Sequence, residues 1–351
     1  MEESVPRGGR VPGLSGSFRR QAKKAFSQLA PGLGLLSSAV QHADYFCLYP
    51  LLSRLPLGAA HRILSLRRPY SCLLPSERRR LLENLDRAFL SKALSPGAIR
   101  RIAARHMLFV SRMRADARIA VERPVEEWHR YTRFEGLHHL EEAMAAERGV
   151  LLLTCHSGYI YRALHALPRA GVPIHVITVR AGRTSPTIWP GPAGRSLYEE
   201  ILRRMAAEPG LSLVYRGSGP EAARGLLEGR HVVVTAVDNP SAREDQTHGT
   251  VRVRFLSGYS VFSSALFRAA EEFGTPTLPF LVHSNGPDCT IRILPSVRPP
   301  VSPVWAGRAP APHGEVGDRA QALFRLFEQH ILRYPEQWWL WKDLGAFRLP
   351  E

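Results

Sequence analysis

The sequence predicts an α/β fold: a mostly parallel sheet flanked by helices, with an N-terminal α-helical region associated with a membrane. Three observations carry that reading. Short apolar runs alternate with helix-like stretches from Val150 onward, the residues before Val121 repeat with helical periodicity, and the basic charge is concentrated in that first third. Alternating buried strands and helices are the pattern of parallel sheets covered on both faces. At 351 residues with 44% hydrophobic content, the chain can bury one large core, so one active site is expected. The expected segments are 1–24, 25–121 and 122–351.

Residues 1–24 are rich in Gly, Pro, Ser and Arg without periodicity, which predicts a disordered basic tail. No apolar run precedes a small-residue cleavage site there, so no secretory signal peptide is expected. Residues 25–43 contain no Asp, Glu, Lys or Arg, and after Asp44 the apolar character resumes through Ser53. Pro31, Gly32, Gly34, Gln41 and His42 make this stretch too polar for a spanning helix. An interfacial or re-entrant segment and a buried helical pair both fit it. Leu81, Leu82, Leu85, Ala88 and Phe89, then Ile99, Ile102, Ala103 and Met107, follow the spacing of amphipathic helices.

Strands are expected at Val150–Thr154, Ile174–Val179, Leu211–Val214, Val232–Val237, Val251–Phe255, Thr277–Val282 and Thr290–Leu294. Helices are expected around Tyr159–Ala170, Leu197–Ala207, Pro220–Glu228 and Val261–Phe273. A Pro-rich loop over 296–314 and a helix near Arg319–Arg333 lead into the aromatic ending Tyr334-Pro-Glu-Gln-Trp-Trp-Leu-Trp. In such a sheet, ligands belong at the carboxyl ends of the strands.

The formal net charge is +16, and residues 1–118 hold 21 basic against 7 acidic side chains, a net +14. Clustered basic charge implies an anionic partner, either nucleic acid or an acidic lipid leaflet. No zinc finger, recognition helix or RNA-binding signature accompanies the charge, so no nucleic acid is expected as partner. Four scattered cysteines, Cys47, Cys72, Cys155 and Cys289, form no C-x-x-C pair, so neither a metal site nor a disulfide framework is indicated.

Two strand ends carry candidate chemistry. Val150-Leu-Leu-Leu-Thr-Cys-His156-Ser157-Gly158 delivers a histidine into the turn before a helix, and Val232-Val-Val-Thr-Ala-Val-Asp238 ends in an acid. Each also has a plain structural reading, as a core histidine and as a turn-capping aspartate.

The order Arg67-Arg68, Glu83-Asn-Leu-Asp-Arg-Ala-Phe89, strand then His156, Leu227-Glu-Gly-Arg-His-Val-Val-Val-Thr-Ala-Val-Asp238, Val253-Arg-Phe-Leu-Ser-Gly258, Gly274-Thr-Pro-Thr-Leu-Pro-Phe280 and Pro335-Glu-Gln-Trp-Trp-Leu-Trp341 resembles the bacterial lipid A late acyltransferases. That lauroyl and myristoyl acyltransferase family lies within the lysophospholipid and glycerolipid acyltransferase superfamily. The resemblance implies a glycerolipid-acyltransferase-like domain on the cytoplasmic face of the inner membrane. It implies transfer of a fatty acyl chain from an acyl thioester, on acyl carrier protein or coenzyme A, to a hydroxyl or amine of a lipid or amphiphilic acceptor. The thioester is a co-substrate, and no cofactor is implied.

In that family a histidine is followed, five positions on, by an acid; here that position is Tyr161, followed by Arg162. Three alternatives stay open: Asp238 supplies the carboxylate from a neighbouring strand, the Tyr161 hydroxyl orients a neutral imidazole, or the chain is a catalytically degenerate relative that binds lipid or a protein partner. The resemblance also places Arg180 and Arg183 near the acceptor, while Ser157 and Arg162 stand beside the histidine as candidate substrate contacts.

Overall fold

The computed structural model describes residues 43–66, 75–92, 94–146, 148–180, 188–189, 191–215, 219–238, 249–297 and 314–349. The expected tail 1–24, nearly all of the 25–43 stretch, Arg67, Arg68, Arg183 and most of the Pro-rich loop lie outside these residues.

Among the described residues the fold is α/β, built on a seven-stranded sheet in the order β1-β9-β8-β2-β5-β3-β4. The strands are β1 (Thr132–Glu135), β2 (Val150–Thr154), β3 (Ile174–Thr178), β4 (Leu211–Tyr215), β5 (Val232–Ala236), β8 (Thr277–Asn285) and β9 (Asp288–Ile293). Strands β2, β3, β4, β5 and β8 run parallel, while β9 turns back antiparallel to β8 and carries β1 with it. The central run Val150–Leu153 is buried on both faces, which is why it reads as continuous apolar sequence rather than as alternation.

Two expectations change. The edge strand β1 was not expected, and its alternating half-buried and exposed residues give only a weak apolar signal. Residues 261–273 are not one helix: β6 (Thr250–Phe255) and β7 (Gly258–Ser263) form a separate two-stranded antiparallel hairpin, and the helix begins only after it.

Helices cover the sheet: α1 (Leu57–Leu66), α2 (Pro75–Ala88), α3 (Pro96–Glu122), α4 (Val125–His129), α5 (Leu137–Ala145), α6 (Ile160–Arg169), α7 (Gly191–Ala206), α8 (Gly219–Glu228), α9 (Ala265–Glu272) and α10 (Gly314–Arg333). The start of α3 is fixed chemically: Pro96 occupies its first turn, and the Ser95 hydroxyl accepts from the Ala98 amide at 3.3 Å. The N-terminal helices share one buried apolar cluster with the sheet, running from Tyr45 to Leu344. No helix among the described residues is long and apolar enough to cross a membrane.

Two buried histidines tie the C-terminal region to this frame. His106 of α3 bonds the Glu336 carbonyl through Nδ1 at 3.0 Å, and His330 of α10 bonds the Val282 carbonyl through Nε2 at 3.2 Å. Burial pushes His106 down to about 3 and His330 down to about 4, so both are neutral when folded. Unfolded, they take up protons near 6.5. The unfolded chain therefore binds more protons between these values, and stability is expected to fall as pH drops below about 6.5 toward 4. Thermal melts across that window check this, and His330→Gln should flatten part of the slope.

Candidate active site

Parallel neighbours in register bring their carboxyl ends together, and β2 pairs with β5 so that Thr154 lies opposite Ala236. The ladder extends one step further, with the Val237 amide donating to the Thr154 carbonyl at 3.0 Å. Asp238 follows Val237 directly, and His156 follows Thr154 one residue later, after Cys155. His156 Nδ1 lies 2.6 Å from Asp238 Oδ1, and the His156 amide donates to both carboxylate oxygens at 3.0 and 2.9 Å.

Asp238 is fully buried, whereas the His156 side chain is 21% exposed. A buried carboxylate must be matched by donors or a positive partner. Here it takes the His156 amide, the His156 ring and the Trp338 indole, whose Nε1–H donates to Oδ2 at 2.8 Å. As a carboxylate only accepts, the Nδ1 facing it carries the ring proton. The Nε2 of neutral His156 is then left with a lone pair and has no protein partner among the described residues.

The turn after His156 is locked from the C-terminal segment. Residues Gln337–Trp339 run antiparallel beside it: the Gly158 amide donates to the Gln337 carbonyl at 3.3 Å, and the Trp339 amide to the His156 carbonyl at 2.9 Å. The Trp339 indole also donates to the Gly158 carbonyl at 3.0 Å. Gly158 has φ +64°, and a Cβ there would sit 2.5 Å from the Val282 carbonyl oxygen, so only glycine fits.

The other expected site residues fare differently. Tyr161 does not reach the imidazole's Nδ1, which Asp238 occupies. Its ring packs against Trp339 at 5.5 Å, Trp189 at 6.0 Å and Tyr198 at 6.4 Å. Burial pushes the phenol well above its ordinary range, with Trp189 beside it pulling weakly the other way. The position that carries the acid in the resembled family is here part of an aromatic wall that reaches His156 through Trp339, 5.6 Å from the imidazole.

Arg162 is not placed to bind substrate. It is buried on α6, where its Nε donates to Asp116 Oδ2 at 2.9 Å, its Nη2 to Asp116 Oδ1, and its Nη1 to the Pro287 carbonyl. His61 Nε2 stands 3.4 Å from the same Asp116. Burial alone would raise the Asp116 carboxyl, but Arg162 and His61 hold it below its ordinary range.

Ser157 is also turned inward. It is fully buried, with its hydroxyl unpartnered among the described residues, and Tyr159 holds the N-cap position of α6. The amides of Ser157, Gly158 and Tyr159 are bonded to the Cys155 carbonyl, the Gln337 carbonyl and the Ser284 hydroxyl. None of them is available to a developing oxyanion. Arg180 is exposed just beyond β3, on the same carboxyl edge as His156, with its guanidinium 4.9 Å from the Tyr215 ring centroid. No group of three or more His, Cys, Asp or Glu side chains among the described residues could hold a metal ion.

Sequence reasoning missed the Trp338 indole and the Asp116 carboxylate. The first had a faint signal in the aromatic ending. The second had a better one, an acid on the apolar stripe of α3 between Met113 and Ala120. A scan against protein-family models and a search of curated proteins find no match to this chain.

Proposed function

We propose that this chain is an acyltransferase of the membrane surface, moving a fatty acyl group from a thioester on acyl carrier protein or coenzyme A to a hydroxyl or amine of a lipid or amphiphilic acceptor. One observation carries the reading: the partly exposed His156, at the carboxyl edge of a parallel sheet, has its Nδ1 2.6 Å from the buried Asp238. This is the charge partner that the departure at Tyr161 removes from the expected spacing.

The chemistry follows from that pair. His156 Nε2 accepts the acceptor's proton as its oxygen or nitrogen attacks the thioester carbonyl, and the resulting imidazolium is stabilised by Asp238. The new C–O or C–N bond forms, the C–S bond breaks, and the imidazolium returns its proton to the departing thiolate. Arg180 stands on the same edge and suits a phosphate of the carrier or acceptor.

A membrane-facing reading of the first third draws on its exposed side chains. Phe46 is 64%, Leu51 59% and Leu66 86% exposed, beside the exposed Arg54 and Arg62. Apolar side chains among bases are what an anionic interface accepts. Full-length protein is expected to pellet with anionic vesicles. Phe46→Ser with Leu66→Ser should weaken this by roughly a hundredfold, since withdrawing two such side chains from lipid costs about 3 kcal/mol together. Unchanged partitioning of the double variant would remove this surface from the account.

The direct test of activity is thiol release from an acyl thioester of carrier protein or coenzyme A. Release that rises when membrane lipid extract is added supports the proposal. Lipid binding without thiol release favours the degenerate relative.

A further inference from the structure

The Asp238 carboxylate could in principle rotate about its Cβ–Cγ bond, and the value of an acid to a histidine depends on where its oxygens point. Here one oxygen faces the imidazole and the other faces the indole of Trp338, 2.8 Å from Nε1. The indole itself is immobilised. It is fully buried, edge-on to Trp341 at 4.8 Å and to Phe255 at 5.8 Å, and its backbone pairs with Ser157 beside the histidine. Trp339, the next residue, bonds the His156 carbonyl through its amide and packs its ring against the imidazole. Consecutive tryptophans thus address the acid and the base of one pair.

We infer that Trp338 is a positioning residue for the proposed reaction: its indole N–H fixes the plane of the Asp238 carboxylate and so holds His156 in the tautomer that leaves Nε2 free to take a proton. This rests on the reading of His156 as general base. A second consequence follows from the same bond. A donor to Oδ2 draws charge from the carboxylate, so without it Asp238 would hold the imidazolium more tightly and its return of the proton would be slower.

The experiment uses the full chain labelled with ¹³C and ¹⁵N at histidine, with Trp338 replaced by β-(3-benzothienyl)alanine, which keeps the ring shape and puts sulfur in place of the N–H. Trp338→Phe, which also lacks the donor, is the second variant. The His156 signals are assigned by their loss in His156→Ala.

Both variants are expected to raise the titration midpoint of His156 by roughly half a unit to one unit and to lower kcat by roughly tenfold with KM unchanged. A merely structural tryptophan would leave the benzothienyl variant indistinguishable from wild type. An unmoved His156 titration and an unchanged kcat, alongside an inactive His156→Ala, would overturn this inference alone. If His156→Ala turned over at the wild-type rate, the general-base reading would fail and take the inference with it.

Discussion

Replacing Asp238 by Asn is expected to lower acyl transfer by about 10⁴, the scale of losing the carboxylate that orients a catalytic histidine. The substitution nearly preserves shape but changes the bonding. Asp238 accepts from the His156 amide, from His156 Nδ1 and from the Trp338 indole. An amide offers one oxygen and one NH₂, so it cannot accept from all of them. If its oxygen faces the two fixed N–H donors, its NH₂ faces Nδ1, and the imidazole must carry its proton on Nε2 instead. That tautomer cannot take a proton from the acceptor. The imidazolium also loses its counter-charge. Steady-state transfer rates check this, with thermal melting to show that the variant is folded. Tyr161→Phe should be mild by comparison, since Asp238 holds the imidazole Nδ1 and the Tyr161 ring, which Phe keeps, is what packs against Trp339. A damaging Tyr161→Phe with a mild Asp238→Asn would reverse the assignment.

The second large effect falls on stability. Asp116, Arg162 and His61 are each almost fully buried, and they join α3, α6 and α1. Cutting one partner from a buried ion pair strands the other charge and costs about 3–5 kcal/mol. Arg162→Met and Asp116→Ala should each lose that much in denaturant unfolding. The paired change Arg162→Met with Asp116→Leu should recover much of it, because neither charge is then left alone. The Asp116 carboxyl is held below its ordinary value, so its contribution is present above the unfolded value and is lost as pH falls through the folded one. A loss under about 1 kcal/mol for Arg162→Met would show that water reaches the pair. The cluster also bears on the site, because Arg162 lies in the first turn of α6, just after the turn that His156 begins. A weakened anchor there should loosen the histidine as well as the fold.

These particulars explain what could be read from the chain alone. The strands Val150–Thr154 and Val232–Ala236 were legible because central parallel strands are buried on both faces and so read as unbroken apolar runs. For the same reason His156 and Asp238 stood out, as polar residues where such runs stop. Their pairing was not legible. It depends on β5 lying next to β2 although β3 and β4 come between them in the chain, and adjacency of that kind is decided by packing over the whole sheet.

Ser157 and Arg162 were placed at the site by nearness in sequence to His156, and the left-handed turn at Gly158 defeats that reasoning by directing both side chains inward. The short strand β1 escaped notice because Thr-Arg-Phe-Glu at a sheet edge buries too little to show a pattern. The chain from Val261 to Phe273 looked helical as a unit, yet its first residues complete β7, where cross-strand pairing with Val251 and Arg252 overrides local preference.

The most direct measurement is the mass-spectrometric yield of acylated lipid. Full-length protein and its His156→Ala variant, matched in melting temperature, are each incubated with an acyl thioester and a membrane lipid extract. The account predicts a lipid product heavier by one acyl group with the wild-type chain, reduced by about 10² to 10⁴ in the variant, because only the proton transfer has been removed. Equal yields from the two proteins, or no acylated lipid from the wild type with any thioester offered, would contradict it.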